Sequence, residues 1–199
     1  RGADRITITR FAGFSDAIVK VTGENSSLNI SGEITIDGGA VWTINTSNPN
    51  YNNPYYLNSF DRAYNSGIKA TSSMIEVGDN ATLTVEEGVI LENAENINNG
   101  GAITNNGTTS ISNSTIQKNM ARNGGAIVNN GTLSISEDTR IQYNLANVAT
   151  KIAGDRYGYG GAIFQEEVET AIFAITKSTL SYNKSQIYGG AIAALSGSV

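Results

Sequence analysis

Two consecutive stretches, NGGAITNNGTTSISNSTIQKN at 99–119 and NGGAIVNNGTLSISEDTRIQYN at 123–144, nearly repeat each other. The tetrapeptide Gly-Gly-Ala-Ile occurs in both and recurs twice more, at intervals of 24, 36 and 29 residues. It begins at Gly100, Gly124, Gly160 and Gly189. Self-similarity at such intervals is typical of a solenoid, in which each repeat is one unit of a stack.

A second signal recurs between the tetrapeptides, an aliphatic residue three positions before an asparagine. The pairs are Ile90 with Asn93, Ile116 with Asn119, Ile141 with Asn144, and Leu180 with Asn183. Segments such as SLNI (27–30), TLTV (82–85) and TLSI (132–135) alternate apolar and polar residues with a period of two, which indicates strands. The stretches 17–39 and 74–93 follow the same plan. Each unit is therefore predicted to hold three short strands.

Three-strand units that stack along an axis form a parallel β-helix. The sequence predicts an all-β fold, a right-handed single-stranded parallel β-helix of about six to seven coils, forming one domain over 1–199. Handedness follows from the general preference of parallel crossovers. The repeat residues expected to stack are Gly100, Gly101, Ile103, Asn119, Gly124, Gly125, Ile127, Asn144, Gly160, Gly161, Ile163, Asn183, Gly189, Gly190 and Ile192.

The stacked side chains are expected to form three apolar columns that point inward. They are Ile103 with Ile127, Ile163 and Ile192; Ile116 with Ile141 and Leu180; and Ile111 with Ile135. The paired glycines suit a place where two backbones approach closely. The Asn-Gly of NNGT, at 105–108 and 129–132, is expected to supply positive φ angles at a corner.

Composition excludes several kinds of chemistry. The chain has no cysteine and no histidine, so disulfides, thiolate metal sites and nucleophilic triads that need either residue are excluded. No metal and no cofactor are expected. The net charge of -5 argues against a nucleic-acid partner. No apolar run approaches 18 residues, so we expect no direct membrane insertion by this segment.

The GGAI repeat and the tetrapeptides ILEN (90–93), IQKN (116–119), IQYN (141–144) and LSYN (180–183) carry a family resemblance. They resemble the GGA[ILV]/FxxN repeats of chlamydial polymorphic membrane proteins, with Ile or Leu at the Phe position. Similar repeats occur in large bacterial cell-surface proteins. The resemblance implies a β-helix that is extracellular, displayed on the cell surface and often adhesive. We expect this chain to be a fragment of such a longer protein, anchored through other parts of it.

Insertions at coil corners are where solenoids usually carry function. They are predicted near 41–72, 145–159 and 164–172. The first contains the only Trp, both Pro and six of the fifteen aromatic residues. Aromatic and amide side chains suit recognition surfaces, so the candidate ligand-binding residues are Trp42, Tyr51, Tyr55, Tyr56 and Tyr64. The alternative interpretation is that these aromatics only cover the open side of the helix.

The leading functional prediction is a non-catalytic cell-surface binding or adhesion module, with a host or environmental glycan or protein as its ligand. One alternative is a polysaccharide lyase or glycoside hydrolase, for which Asp37 and Glu92 are the best acid pair. A second alternative is a structural spacer. No catalytic residue is assigned. Because exposed strand edges invite pairing, end-to-end self-association of the chain is also expected.

Overall fold

The computed structural model describes residues 5–40, 70–147, 158–166, 168 and 171–195, together with the backbone of two strands at 42–44 and 62–64. These residues form short β-strands and no helix, and four of the five sheets are entirely parallel. Each strand of a parallel sheet pairs with the equivalent strand of the next repeat. The predicted all-β parallel β-helix is therefore confirmed.

Three long sheets form the walls of the helix. Sheet 1 contains β1 (Ile6–Thr9), β4 (Ile34–Asp37), β9 (Ile90–Glu92), β12 (Thr115–Gln117), β16 (Arg140–Gln142) and β20 (Thr179–Ser181). Sheet 2 contains β2 (Val19–Val21), β7 (Ile75–Val77), β10 (Ile103–Asn105), β14 (Ile127–Asn129), β18 (Ile163–Gln165) and β22 (Ile192–Ala194). Sheet 3 contains β3 (Ser27–Ile30), β8 (Thr82–Val85), β11 (Thr108–Ser112), β15 (Thr132–Ser136) and β19 (Ile172–Ile175).

The chain visits sheets 2, 3 and 1 in that order, so the described residues contain five complete coils flanked by β1 and β22. A short fourth sheet lies between sheets 1 and 2. Its strands are β13 (Met120–Ala121), β17 (Leu145–Ala146) and β21 (Lys184–Ser185). We call this region the sheet 1–sheet 2 corner. The three-strand repeat predicted from the sequence thus gains a fourth strand in three coils.

The three predicted apolar columns are confirmed. Ile103 pairs with Ile127, which pairs with Ile163, and that column also includes Ile75 and Ile192. The other two columns stack as expected and extend into the first coils through Leu91 with Ile36, and Val85 with Ile30. Most of these side chains are fully buried. Removing one such side chain from water stabilises the fold by about 1.5–3 kcal/mol, so the columns supply most of the core.

One predicted repeat pair is wrong by one position. In the coil of β9, Leu91 and not Ile90 pairs with Ile116, and Leu91 is buried. Asn93 is also one position away from the asparagine ladder. The residue equivalent to Asn119 in the coil of β9 is Ala94. The sequence string ILEN matches the repeat, but side chains alternate faces along a strand, so the pairing of β9 with β12 decides which residue faces inward.

The paired glycines of GGAI are required for two different reasons. The first glycine of each pair has a φ between 57° and 71°, a left-handed conformation. The second glycine is crowded: a Cβ added to Gly125 or Gly161 would overlap the carbonyl oxygen of the second glycine one coil further on. The expected close approach of backbones is confirmed, and it occurs between coils.

The expectation of positive φ angles in NNGT is wrong, since none of its Asn or Gly residues adopts one. Gly131 is needed because a Cβ there would overlap the carbonyl oxygen of Gly107 in the coil below. The asparagines form a buried ladder instead. Nδ2 of Asn105 donates to Oδ1 of Asn129 at 2.7 Å, and Nδ2 of Asn129 donates to Oε1 of Gln165 at 2.7 Å. Buried amides are therefore satisfied by their own copies one coil away.

Candidate functional site

The aromatic insertion leaves and rejoins the coils at the sheet 1–sheet 2 corner. The backbone N–H of Ala40, before the insertion, donates to the carbonyl of Asn93 at 2.9 Å. After the insertion, the N–H of Ala70 donates to the carbonyl of Glu95 at 3.2 Å. Both ends are thus bonded to the same short segment of the next coil, which fixes where the insertion begins and ends.

Two short strands of this insertion pair with each other. β5 (Trp42–Ile44) and β6 (Arg62–Tyr64) are antiparallel, and Trp42 lies opposite Tyr64. These are two of the five residues predicted to bind a ligand, and the pairing brings their backbones together. Tyr51, Tyr55 and Tyr56 lie outside the described residues. The binding role of all five stays a prediction.

The second predicted insertion starts from the same corner. Before it, the N–H of Asn147 donates to the carbonyl of Ala121 at 2.9 Å. After it, the N–H of Gly158 donates to the carbonyl of Arg122 at 2.8 Å. The third predicted insertion follows β18 and therefore lies between sheets 2 and 3. Two of the three interruptions are consequently attached along one edge of the helix.

The same edge carries a stacked pair of tyrosines that the sequence analysis did not identify. Tyr143 and Tyr182 are equivalent residues of neighbouring coils, with ring centroids 4.9 Å apart and an interplanar angle of 5°. Both have positive φ angles, 58° and 55°, as do Lys118 and Asn93 in the two preceding coils. The left-handed residue recurs at the same position of each of these coils, and there Tyr182 is exposed and Tyr143 is half-buried.

A polar column runs beside the tyrosines on the outer face of sheet 1. Its members, in order along the axis, are Thr9, Asp37, Glu92, Gln117, Gln142 and Ser181. Nε2 of Gln142 donates to Oε1 of Gln117 at 3.0 Å, and Nε2 of Gln117 donates to Oε2 of Glu92 at 2.8 Å. The bonds hold three side chains of successive coils in one line, so this column is a preorganised row of polar groups.

A buried asparagine ladder fixes the backbone beneath the tyrosines. Asn119, Asn144 and Asn183 follow directly after the left-handed residues, and each bonds to the coil below it. Nδ2 of Asn144 also reaches the carbonyl of Ile116 at 3.1 Å, and Nδ2 of Asn183 reaches that of Ile141 at 2.8 Å. The predicted stacking of these three asparagines is observed, and it makes the edge rigid.

Two buried ionisable groups lie near the N-terminal part of this corner. Glu95 is 7% exposed, and burial raises the pKa of its carboxyl to about 8. Arg10 is 2% exposed; burial lowers its pKa, while the charge of Asp16 acts in the opposite direction. Nη2 of Arg10 donates to the carbonyls of Ser72 and Ser73 at 3.3 and 3.2 Å. Arg10 therefore ties the turn that follows β1 to the backbone just before β7.

The acid pair singled out from the sequence is brought together. Asp37 and Glu92 pair in adjacent coils, which places their Cα atoms about 4.8 Å apart. Oδ1 of Asp37 accepts the N–H of Gly39 at 2.8 Å, and Glu92 accepts from Gln117. Within the described residues, no group of three or more acidic side chains is arranged to hold a metal ion. The described residues also contain no helix long and apolar enough to cross a membrane.

A sequence signal for the tyrosine pair was available. Tyr precedes Asn in both QYN (142–144) and SYN (181–183), and both asparagines belong to the repeat. Equivalent positions of successive coils stack, so the two tyrosines could have been predicted to meet. Glu95 had no comparable signal, because its burial depends on how the coils pack around it and not on its neighbours in the sequence.

The chain was compared with family models, with curated proteins and with solved structures, and none of these comparisons gave a match.

Proposed function

We propose that this chain is a non-catalytic binding module of a bacterial cell surface, with a glycan or protein as its ligand. The observation that carries the proposal is the concentration of aromatic residues along one edge of a rigid stack. The aromatic insertion, in which Trp42 lies opposite Tyr64, is attached to this edge, and the stacked Tyr143 and Tyr182 lie further along it.

The spacing supports one continuous surface. Tyr143 lies three coils beyond the coil from which the insertion leaves, a distance of about 14 Å along the axis at about 4.8 Å per coil. The polar column of Glu92, Gln117 and Gln142 connects the two aromatic regions. Flat aromatic groups beside amides and carboxylates suit a ligand with both apolar faces and hydroxyl groups.

Rigidity is the proposed mechanism. Binding groups held by stacked strands lose little conformational freedom when a ligand arrives, so less of the interaction energy is spent on ordering them. The asparagine ladder beneath Tyr143 and Tyr182 holds their backbones in place before any ligand is present. The extracellular location implied by the family resemblance belongs to the same proposal.

A binding screen tests this function. The purified chain is applied to a glycan array and to immobilised extracellular proteins, and saturable binding is measured for the wild type and for Trp42→Ala and Tyr143→Ala/Tyr182→Ala. We expect both variants to weaken binding by about tenfold or more, which corresponds to about 1.4 kcal/mol. The control is Ile172→Ala, which removes an exposed apolar side chain (56%) from sheet 3 on another face.

Binding that is unchanged in both aromatic variants would contradict the proposed surface. The absence of saturable binding to either panel would favour the structural spacer.

A polysaccharide-active enzyme is the second candidate, favoured by the stacking of Asp37 on Glu92 beside the aromatic edge. Glycoside hydrolysis uses two carboxyl groups about 5–5.5 Å apart in retaining enzymes, and residues on adjacent coils can reach that separation. Release of reducing ends from polysaccharides by the wild type, and loss of that release in Asp37→Asn and Glu92→Gln, would establish this activity in place of simple binding.

A further inference from the structure

Glu95 lies at the junction where the chain rejoins the coils after residue 69. Its carbonyl accepts the N–H of Ala70 at 3.2 Å, and the next residue, Asn96, pairs with Ala70 in an isolated parallel bridge. On its other side Glu95 pairs with Met120 of the following coil. The backbone of Glu95 is therefore bonded directly to the residue at which this end of the insertion rejoins the coils.

The carboxyl group of Glu95 is buried without a full set of hydrogen-bond partners. The residue is 7% exposed, and its Oε2 is buried with no hydrogen-bond partner. Burial is the sole cause of its raised pKa, since no charge contributes to the shift. A buried ionised carboxylate without a partner is strongly unfavourable, and a group in that position remains neutral until the pH exceeds its raised pKa.

The groups around Glu95 explain why its charge is uncompensated. Its column continues through Met120 and Leu145, both apolar, and reaches Lys184 only three coils away, at about 14 Å. Other ionisable residues on the neighbouring segments are Arg10, Asp37, Glu92, Lys118 and Arg122. Of these, Glu92 is bonded to Gln117, and Lys118 is exposed. No described cation forms an ion pair with Glu95.

We propose that Glu95 makes this junction sensitive to pH, so that it is closed while the carboxyl is protonated and opens locally to water when the carboxyl ionises. Opening gives the carboxylate the hydration that the closed junction denies it. The bond from Ala70 to Glu95 and the pairing of Asn96 with Ala70 are the contacts that yield. The pH sensitivity of the junction does not depend on the proposed function. Only its consequence does, namely that the pH would control how firmly the aromatic insertion is attached to the coils.

The direction of the pH dependence follows from proton linkage. The carboxyl holds its proton more tightly in the folded state, where its pKa is about 8, than in the unfolded state, where the ordinary value is 4.5. The stability that it contributes is fully present below pH 4.5 and is lost as the pH rises through about 8. Above that range both states are ionised and no further loss occurs.

Hydrogen exchange measures the junction without any ligand. Exchange is followed at pH 6 and pH 9 for the amides of Ala70 and Ile97, which donate across the junction to the carbonyls of Glu95 and Ala70, and is corrected for the intrinsic rate of exchange. In the wild type we expect the protection of these amides to fall at least tenfold between the two pH values. Glu95→Gln should abolish this dependence, because the amide is neutral throughout. Glu92→Gln, three residues away at a half-buried site, should retain the wild-type behaviour.

Glu95→Met repeats the test with the residue that follows in the same column, in case the glutamine variant does not fold. Protection that is equal at both pH values in the wild type would overturn the proposal. So would a pH dependence that persists in both Glu95 variants. Because no ligand is used, these outcomes are independent of whether the binding function is correct.

Discussion

Oδ1 of Asn144 accepts both the backbone N–H and the side-chain Nδ2 of Asn119, each at 3.0 Å, so one oxygen joins two coils twice. Nδ2 of Asn144 in turn donates to the carbonyl of Ile116 and to Oδ1 of Asn183. Asn144 is 1% exposed, and water cannot replace these bonds. Asn144 therefore connects three successive coils.

Asn144→Ala should reduce the free energy of unfolding by about 2–4 kcal/mol, because it leaves several buried donors and acceptors unpaired. Urea denaturation followed by circular dichroism measures the change. Asn106→Ala is the control, since Asn106 is an exposed member of an asparagine pair at another corner, and we expect it to stay within about 0.5 kcal/mol of the wild type. Equal losses in the two variants would contradict a special role for the buried ladder.

Gly125→Ala should be strongly destabilising, because the added Cβ would overlap the carbonyl of Gly161 and lie 2.5 Å from the backbone N of Leu145. Overpacking of this kind costs about 1–3 kcal/mol or more. Gly190→Ala is a matched control in the last described GGAI, where the nearest atom to the added Cβ is 3.8 Å away. Thermal unfolding of both variants checks the prediction, and a similar fall in Tm for the two would refute it.

Lys118→Gly should stabilise the chain by about 0.5–1 kcal/mol. Lys118 has a left-handed φ of 55°, which costs a residue with a Cβ about 1–2 kcal/mol and costs glycine almost nothing. Glycine also has more conformational freedom in the unfolded chain, and this offsets part of the stabilisation. The side chain of Lys118 makes no hydrogen bond or ion pair with the described residues. Lys118→Ala should therefore show no gain, and a gain of the same size in Lys118→Ala would show that backbone conformation is not the cause.

Ile127→Ala should cost about 2–5 kcal/mol, because Ile127 is fully buried between Ile103 and Ile163. Ile192→Ala should cost less than half as much, since Ile192 is only half-buried at the end of the same column. Chemical denaturation compares the two. A larger effect at Ile192 would be inconsistent with a core made of continuous columns.

The fold could be predicted from the sequence because each coil places like residues over like. The four GGAI tetrapeptides gave the column of Ile103, Ile127 and Ile163 correctly, and their glycines indicated the close approach of backbones. The string ILEN aligns Ile90 with Ile116 in the sequence repeat, whereas the strands pair Leu91 with Ile116. A sequence repeat shows which segments stack on one another. Only the hydrogen-bonded pairing of the strands shows which of two adjacent residues occupies the column.

The candidate site was less accessible to sequence reasoning. Composition identified the aromatic insertion, and the pairing of Trp42 with Tyr64 adds order to part of it. The stack of Tyr143 on Tyr182 follows from the repeat once the left-handed position before each asparagine is recognised. Burial of Glu95 could not be predicted, because the residue belongs to no repeat motif and its surroundings come from two other coils.

The asparagine ladder also has a mechanical consequence. It begins at Ala94 and continues to Asn183, so the first two coils are held together without it. Tension applied through the chain ends would peel the stack one turn at a time, since each turn is bonded only to its two neighbours. The turns from Asn119 to Asn183, which the ladder joins and which carry the paired tyrosines, would resist this tension more than the turns outside the ladder.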